Sequence, residues 1–120
     1  MNRLALGALL AVILAPLCGC SSYWIDATIE NHTGAAIVLL EVDYPSASFG
    51  ANALAAGAAY HYRFKVLGSG VVKVQYTDTT THQLRQANGP ELSENQQGSL
   101  EIVLLPVGKA EFHLALAPAK

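Results

Sequence analysis

The chain has 120 residues, which is the usual size of one domain, and it carries a formal net charge of −2 at pH 7. Charged residues make up 13% of the chain, and the sequence contains no run of basic residues. This composition argues against a nucleic-acid partner, because contact with phosphates needs clustered lysine and arginine.

The first segment has the order of a secretory signal peptide. Arg3 gives a basic start, an apolar run covers residues 4–17 with one glycine and one proline as its breaks, and small residues follow at 18–22. A run of this length is typical of a signal core, since a membrane-spanning helix needs roughly 20 apolar residues. We therefore predict that residues 1–19 are a signal peptide.

The end of this segment resembles the lipobox of bacterial lipoproteins, in which leucine stands three positions before a cysteine and glycine or alanine stands directly before it. The matching residues are Leu17-Cys18-Gly19-Cys20, which depart from the pattern at Cys18, where alanine, serine or threonine is usual. The resemblance implies cleavage between Gly19 and Cys20 and a diacylglycerol thioether on Cys20. Because Ser21 and not aspartate follows, the family's sorting pattern implies attachment to the outer membrane, facing the periplasm.

Both cysteines of the chain, Cys18 and Cys20, lie in this cleavage zone. Cleavage removes the first and acylation occupies the second, so the mature domain is expected to contain no free thiol and no disulfide. Its stability must then come from core burial, for which about 100 residues suffice. Residues 20–22 remain as the lipidation site and a very short tether, which would hold the domain close to the membrane surface.

Residues 23–120 have the pattern of one all-β domain. Polar and apolar residues alternate with period two in most segments, and turn-forming residues separate the segments. About seven or eight short strands at this spacing are typical of a small two-sheet, immunoglobulin-like β-sandwich, with a small closed β-barrel as the alternative. In chain order the predicted strands are 24–30, 36–42, 48–54, 60–66, 72–77, 82–86, 100–105 and 110–116.

The clearest alternation is in residues 60–66. One face of this strand is expected to enter the core and the other to face water, and the strand is expected to form a hairpin with 72–77 through Gly68-Ser69-Gly70. The expected core residues are Tyr60, Tyr62, Phe64 and Val66, and the expected solvent-facing residues are His61, Arg63 and Lys65.

Two further segments carry specific expectations. Residues 36–42 are apolar on both faces, which predicts a central strand that is covered on both sides. Asn88-Gly89-Pro90 is expected to end the strand 82–86, and residues 91–97 are expected to form a loop or one helical turn.

No constellation in the sequence predicts catalysis. The mature domain lacks a thiol, and Ser69 stands in an expected hairpin turn and not in a nucleophile elbow. Glu41 and Asp43 share one face of a strand, which is more typical of a surface pair than of two carboxyls across a cleft. We therefore expect no catalytic residue.

Four histidines raise the question of a metal site. They lie on separate predicted elements and lack the close spacing of ligand pairs. A calcium site built from Asp78, Glu91 and Glu94 lacks the spacing of a calcium-binding loop. No metal and no cofactor are therefore predicted. The four histidines are His32, His61, His82 and His113.

Two pairs of aromatic residues are candidate contact sites. Tyr23 and Trp24 follow the lipidation site at once, so they are candidates for an interfacial anchor among lipid headgroups, with first-strand core as the alternative for Trp24. Tyr44 and Phe49 flank Pro45 in an expected loop. If exposed, they would be the best candidates for contact with a partner, and burial as a loop plug is the alternative.

Three functions are compatible with these features. The first is a non-catalytic binding or structural module of the cell envelope, with the membrane and another envelope protein as its partners. The second is an inhibitor or chaperone-like accessory of another envelope protein. The third is a metal-binding or carrier protein. All three would be tethered to the membrane through Cys20.

Overall fold

A computed structural model describes residues 23–118 of the chain. The predicted signal peptide, the cleavage site at Gly19 and Cys20, and the tether 20–22 lie outside the described residues. They therefore stay predictions from the sequence.

The described chain forms eight strands and one short 3₁₀ turn, which joins the last two strands. The strands make two four-stranded sheets, with the orders β4-β1-β7-β8 (the β1 sheet) and β3-β2-β5-β6 (the β2 sheet). The elements are β1 Ile25–Asn31, β2 Ile37–Tyr44, β3 Ala47–Leu54, β4 Ala59–Phe64, β5 Gly70–Asp78, β6 Leu84–Leu92, β7 Gln96–Leu105, the 3₁₀ turn Pro106–Gly108 and β8 Lys109–Pro118.

The two sheets pack face to face, which confirms the prediction of a small β-sandwich. All neighbouring strands are antiparallel except β1 and β7, which are parallel. Among the described residues the two sheets remain separate in their hydrogen bonding, so the alternative of a closed barrel is not formed.

The core lies between the sheets and is built by the alternation that the sequence shows. In β1, and in β7 from Leu100 onward, every second residue is buried and the residues between them face outward. The same period brings side chains from β2 and β5 into contact with them from the other sheet. The most deeply buried apolar side chains are Ile25, Ile29, Ile37, Val42, Val72, Val74, Leu92, Leu100, Ile102 and Leu104.

The predicted hairpin between residues 60–66 and 72–77 is wrong. Strand β4 pairs with β1 and strand β5 pairs with β2 and β6, so residues 65–69 cross from one sheet to the other. Phe64 and Val66 are buried as expected, but Tyr62 is 40% exposed because β4 is the edge strand of its sheet. Alternation fixes which face of a strand is apolar, but it does not fix the strand's partner.

The expectation that residues 36–42 are covered on both faces is also wrong. Strand β2 is central in its sheet, but Leu39 is 64% exposed and has a left-handed backbone with φ of 53°. The pairing of β2 with β5 shifts by one residue between Val38 and Glu41, which makes a β-bulge. The extra residue explains the unbroken apolar run, since Leu39 leaves the alternation and both Ile37 and Leu40 enter the core.

Strand β6 continues through Asn88-Gly89-Pro90, where the sequence predicted its end. Val71 pairs with Glu91 and Lys73 with Asn88, so two residues of β6 face one residue of β5 at this bulge. An edge strand tolerates proline at a bulge because the missing N–H interrupts no second ladder. Residues 93–95 alone form the following loop, and β7 begins at Gln96, so the alternative of a helical turn at 91–97 is excluded.

Candidate functional site

The outward surface of the β1 sheet is the best candidate for a functional surface, and strand register determines which side chains are neighbours on it. Each step of two residues along β1 starts a new row across the four strands. In order β4, β1, β7, β8, one row is Arg63, Asp26, Ser99 and Ala115; the next is His61, Thr28, Glu101 and His113; the next is Ala59, Glu30, Val103 and Glu111.

A basic and aromatic cluster lies at the end of this surface where the chain enters β1. Trp24 directly precedes the strand and is 38% exposed. The Arg63 guanidinium carbon lies 5.1 Å from the Trp24 ring centroid, and the Lys65 Nζ lies 4.6 Å from it. Both distances are within the range of cation–π attraction. We call Trp24, Arg63 and Lys65 the Trp24 patch.

The antiparallel pairing of β1 with β4 brings the patch together. Ile25 pairs with Phe64 and Asp26 with Arg63, so the residue before β1 lies beside the residue after β4. Arg63 is held in place by Asp26, whose Oδ1 lies 3.3 Å from the Arg63 Nε. The patch therefore carries two cations and one neighbouring carboxylate at the surface of the sheet.

A shallow groove with small side chains runs beside Trp24. Its lining comes from Trp24, Asp26 and Arg63 on one side and from the start of β7 and the end of β8 on the other. Gly98 in β7 has φ of +136°, and a Cβ atom there would lie 2.0 Å from the Ala115 carbonyl oxygen. Strands β7 and β8 can approach at this point because residue 98 has no side chain. The β7 and β8 residues of the groove are Gln97, Gly98, Leu114, Ala115, Leu116 and Ala117.

The opposite end of the same surface is acidic. The interaction between the neighbouring Glu30 and Glu101 carboxyls lowers the pKa of Glu30 and raises the pKa of Glu101. Imidazoles stand beside these carboxyls: His32 Nε2 lies 3.3 Å from Glu30 Oε1, and His113 Nε2 lies 3.7 Å from a carboxylate oxygen of Glu111. The surface is therefore polarised along β1, from basic and aromatic to acidic.

The other two histidines lie on β4 and in the turn before β6. His61 accepts or donates a hydrogen bond at 3.1 Å with the Thr28 hydroxyl, and His82 stands in the turn before β6 with a left-handed backbone. Among residues 23–118, no group of three or more His, Cys, Asp or Glu side chains has the geometry to hold a metal ion.

Tyr44 and Phe49 do not form an exposed loop. Tyr44 ends β2, Phe49 lies within β3 at 6% exposure, and the two residues between the strands make a tight turn. The Phe49 ring stacks on Tyr62 at 4.4 Å between centroids, and the Tyr44 ring stacks on Phe64 at 4.1 Å. These rings close the side of the sandwich between β3 and β4. Phe49 is buried and Tyr44 is half-buried, so the two rings do not form the exposed surface that the expected partner contact needs.

Tyr23 and Trp24 directly precede β1, and Tyr23 is half-buried while Trp24 is exposed. Trp24 therefore is not a core residue of the first strand. The sequence identified Trp24 and placed Arg63 and Lys65 on a solvent-facing side, but it did not bring the three together. Only the pairing of β1 with β4, which are about 35 residues apart in sequence, does so.

Comparison with protein-family models, with curated proteins and with solved structures found no match to this chain. Within the described residues, no helix has the length and apolar character needed to cross a bilayer.

Proposed function

We propose that this protein is a lipoprotein of the bacterial cell envelope whose β-sandwich is a non-catalytic binding or structural module. The observation that carries the proposal is the lipobox-like Leu17-Cys18-Gly19-Cys20 at the end of an apolar segment. Lipid on Cys20 would tether the domain to the membrane, and Ser21 favours the outer membrane, facing the periplasm.

The position of the first strand supports this arrangement. Strand β1 begins at Ile25, so four residues separate Cys20 from the folded domain. The five Cα-to-Cα steps from Cys20 to Ile25 span at most about 18 Å when extended, so a lipid on Cys20 would hold the sandwich close to the bilayer. The partners of such a module are the membrane and other proteins at that surface.

Strand β8 supplies a surface for a protein partner. Within residues 23–118 it is hydrogen-bonded on one side, to β7, which leaves the backbone groups of its other edge available. Residues 114–117 contain no charged side chain, and Leu114 is 42% exposed. An extended segment of another envelope protein could add to this edge as a further strand.

The anchor is tested by mass spectrometry of the mature protein extracted from cell membranes. The proposal predicts an amino-terminal peptide that begins with a diacylglyceryl-modified Cys20. A mature chain that begins elsewhere, or an unmodified Cys20, contradicts it.

The partner surface is tested by placing a photo-crosslinking residue at Ala115 in intact cells. The matched control position is Glu101, which is exposed on β7 in the middle of the same sheet. Strand addition predicts a discrete crosslinked protein from position 115 and none from position 101. Equal crosslinking from both positions, or none from 115, contradicts it.

A further inference from the structure

We propose that the Trp24 patch is a contact site for anionic phospholipid headgroups, which holds the sandwich in one orientation on the membrane. This inference rests on the proposed function, because it takes the membrane to be the one that holds the Cys20 lipid. It adds a recognition chemistry: the cationic groups of Arg63 and Lys65 contact headgroup phosphates, and the Trp24 ring lies among the headgroups.

The position of the Trp24 patch in the chain supports contact with the membrane. Four residue steps join Cys20 to Trp24, which limits their separation to about 14 Å in an extended chain. The Trp24 patch therefore lies at the end of the domain that the proposed anchor would hold nearest to the bilayer.

The chemistry of the three side chains suits phospholipid headgroups. Tryptophan favours the membrane–water interface because its ring is apolar while its N–H can donate a hydrogen bond. Arg63 and Lys65 are exposed, and both stand over the ring of Trp24. A phosphate that approaches the ring would therefore meet two cations, and basic groups close to a bilayer are attracted by anionic lipids.

The charge distribution over the outward surface favours one orientation of the domain on the membrane. Glu30 and Glu111 lie in the row of the β1 sheet farthest from Trp24 along the strand direction, and Glu101 lies in the row before it. With the patch against an anionic bilayer, these carboxylates are directed away from it. The reversed orientation would place the acidic end against the same negative surface, which is unfavourable.

The test uses Trp24 itself, because it is the only tryptophan in the sequence. Full-length protein purified from membranes is reconstituted into phosphatidylcholine vesicles with or without phosphatidylglycerol, and lipids brominated near the headgroup quench the fluorescence. We expect a blue shift and stronger quenching in the vesicles that contain phosphatidylglycerol, with the difference lost at high salt.

The double variant R63Q/K65Q is expected to lose the dependence on phosphatidylglycerol. K109Q is the matched control, since Lys109 is exposed on the same sheet and lies at the acidic end of the surface. It should behave as the wild type. Circular dichroism of each variant verifies that the sandwich is intact.

Three results would overturn the inference: Trp24 emission that is the same in both kinds of vesicle, an equal effect of K109Q, or an unaltered response in R63Q/K65Q. Emission that changes only when an acidic envelope protein is added would identify a protein ligand instead. The anchor is tested separately by flotation with phosphatidylcholine vesicles alone. If the protein floats but Trp24 emission does not depend on phosphatidylglycerol, the lipid anchor is supported and the headgroup contact of the Trp24 patch is contradicted.

Discussion

The side-chain amide of Asn31 donates a hydrogen bond at 3.0 Å to the backbone carbonyl of Leu54, and this bond joins the last residue of β1 to the last residue of β3 in the opposite sheet. Asn31 is fully buried. Its Nδ2 also donates to the carbonyls of Ala35 and Ala55, and its Oδ1 accepts from the backbone N–H and hydroxyl of Thr33. One side chain therefore fixes the turn after β1 and connects the two sheets.

Replacement of Asn31 tests this connection. We expect N31A to lower the free energy of unfolding by about 2–4 kcal/mol, because it leaves buried carbonyls without a donor. N31D should be worse than N31A, since a carboxylate would face three carbonyl oxygens. Urea denaturation followed by circular dichroism measures both. A loss in N31D that is smaller than in N31A would contradict the hydrogen bonds described.

Substitution of Gly50 tests the close packing of β3 against the bulge in β2. A Cβ atom at this position would lie 2.0 Å from the Leu40 carbonyl oxygen, which belongs to the backbone next to the extra residue Leu39. We expect G50A to destabilise the domain by about 1–3 kcal/mol, because backbone must move to relieve the overlap. Thermal unfolding gives the measurement.

G70A is the matched control for this substitution. At Gly70 the nearest atom to an added Cβ is a side-chain carbon of Pro45 at 3.5 Å, which is ordinary contact. G70A should therefore stay within about 1 kcal/mol of the wild type, the usual range for a substitution that creates no overlap. Equal losses in G50A and G70A would argue against the close approach of β2 and β3.

Asp78 gives a prediction about acid stability. The backbone N–H of Thr80 donates to its Oδ1 at 2.8 Å, and this bond, with a weaker one from Thr81 and the nearby Arg85, lowers the pKa of Asp78 below the ordinary 3.8. A carboxyl whose pKa is lowered by folding stabilises the protein above its unfolded pKa, and that stabilisation is lost as the pH falls through the folded pKa.

As the pH is lowered below 3.8, the wild type should therefore lose stability, in part because Asp78 becomes protonated. In D78N this part is absent, because asparagine keeps the acceptor oxygen but does not titrate. The difference in melting temperature between wild type and D78N is expected to favour the wild type near neutral pH and to shrink as the pH falls. A difference that is constant with pH would contradict the assignment.

The sequence predicted the residues that face the core far better than it predicted their partners. The alternation in β1 and in β7 from Leu100 onward is unbroken, and every second residue of these segments is buried as expected. Burial of a face depends on local periodicity, which one segment carries by itself. Strand pairing depends on contacts between distant segments, so the neighbours β4 and β5 were predicted to pair although they lie in different sheets.

The candidate site shows the same division. Trp24 was a candidate from its place in the sequence, and the solvent-facing positions of Arg63 and Lys65 followed from alternation. Their meeting at 5.1 Å and 4.6 Å depends on β1 pairing with β4, which no local pattern indicates. The predictions at Leu39 and Pro90 were wrong for a related reason. Bulges in β2 and β6 interrupt the alternation of buried and exposed residues without ending the strand.

We propose that Cys20 carries the lipid that places this sandwich at the membrane, and metabolic labelling with radioactive palmitate tests this proposal. We expect the wild type and C18A to be labelled and processed, since alanine is usual at that lipobox position. C20A should be unlabelled and accumulate as the unprocessed precursor. Labelling that persists in C20A, or that is lost in C18A alone, would contradict it.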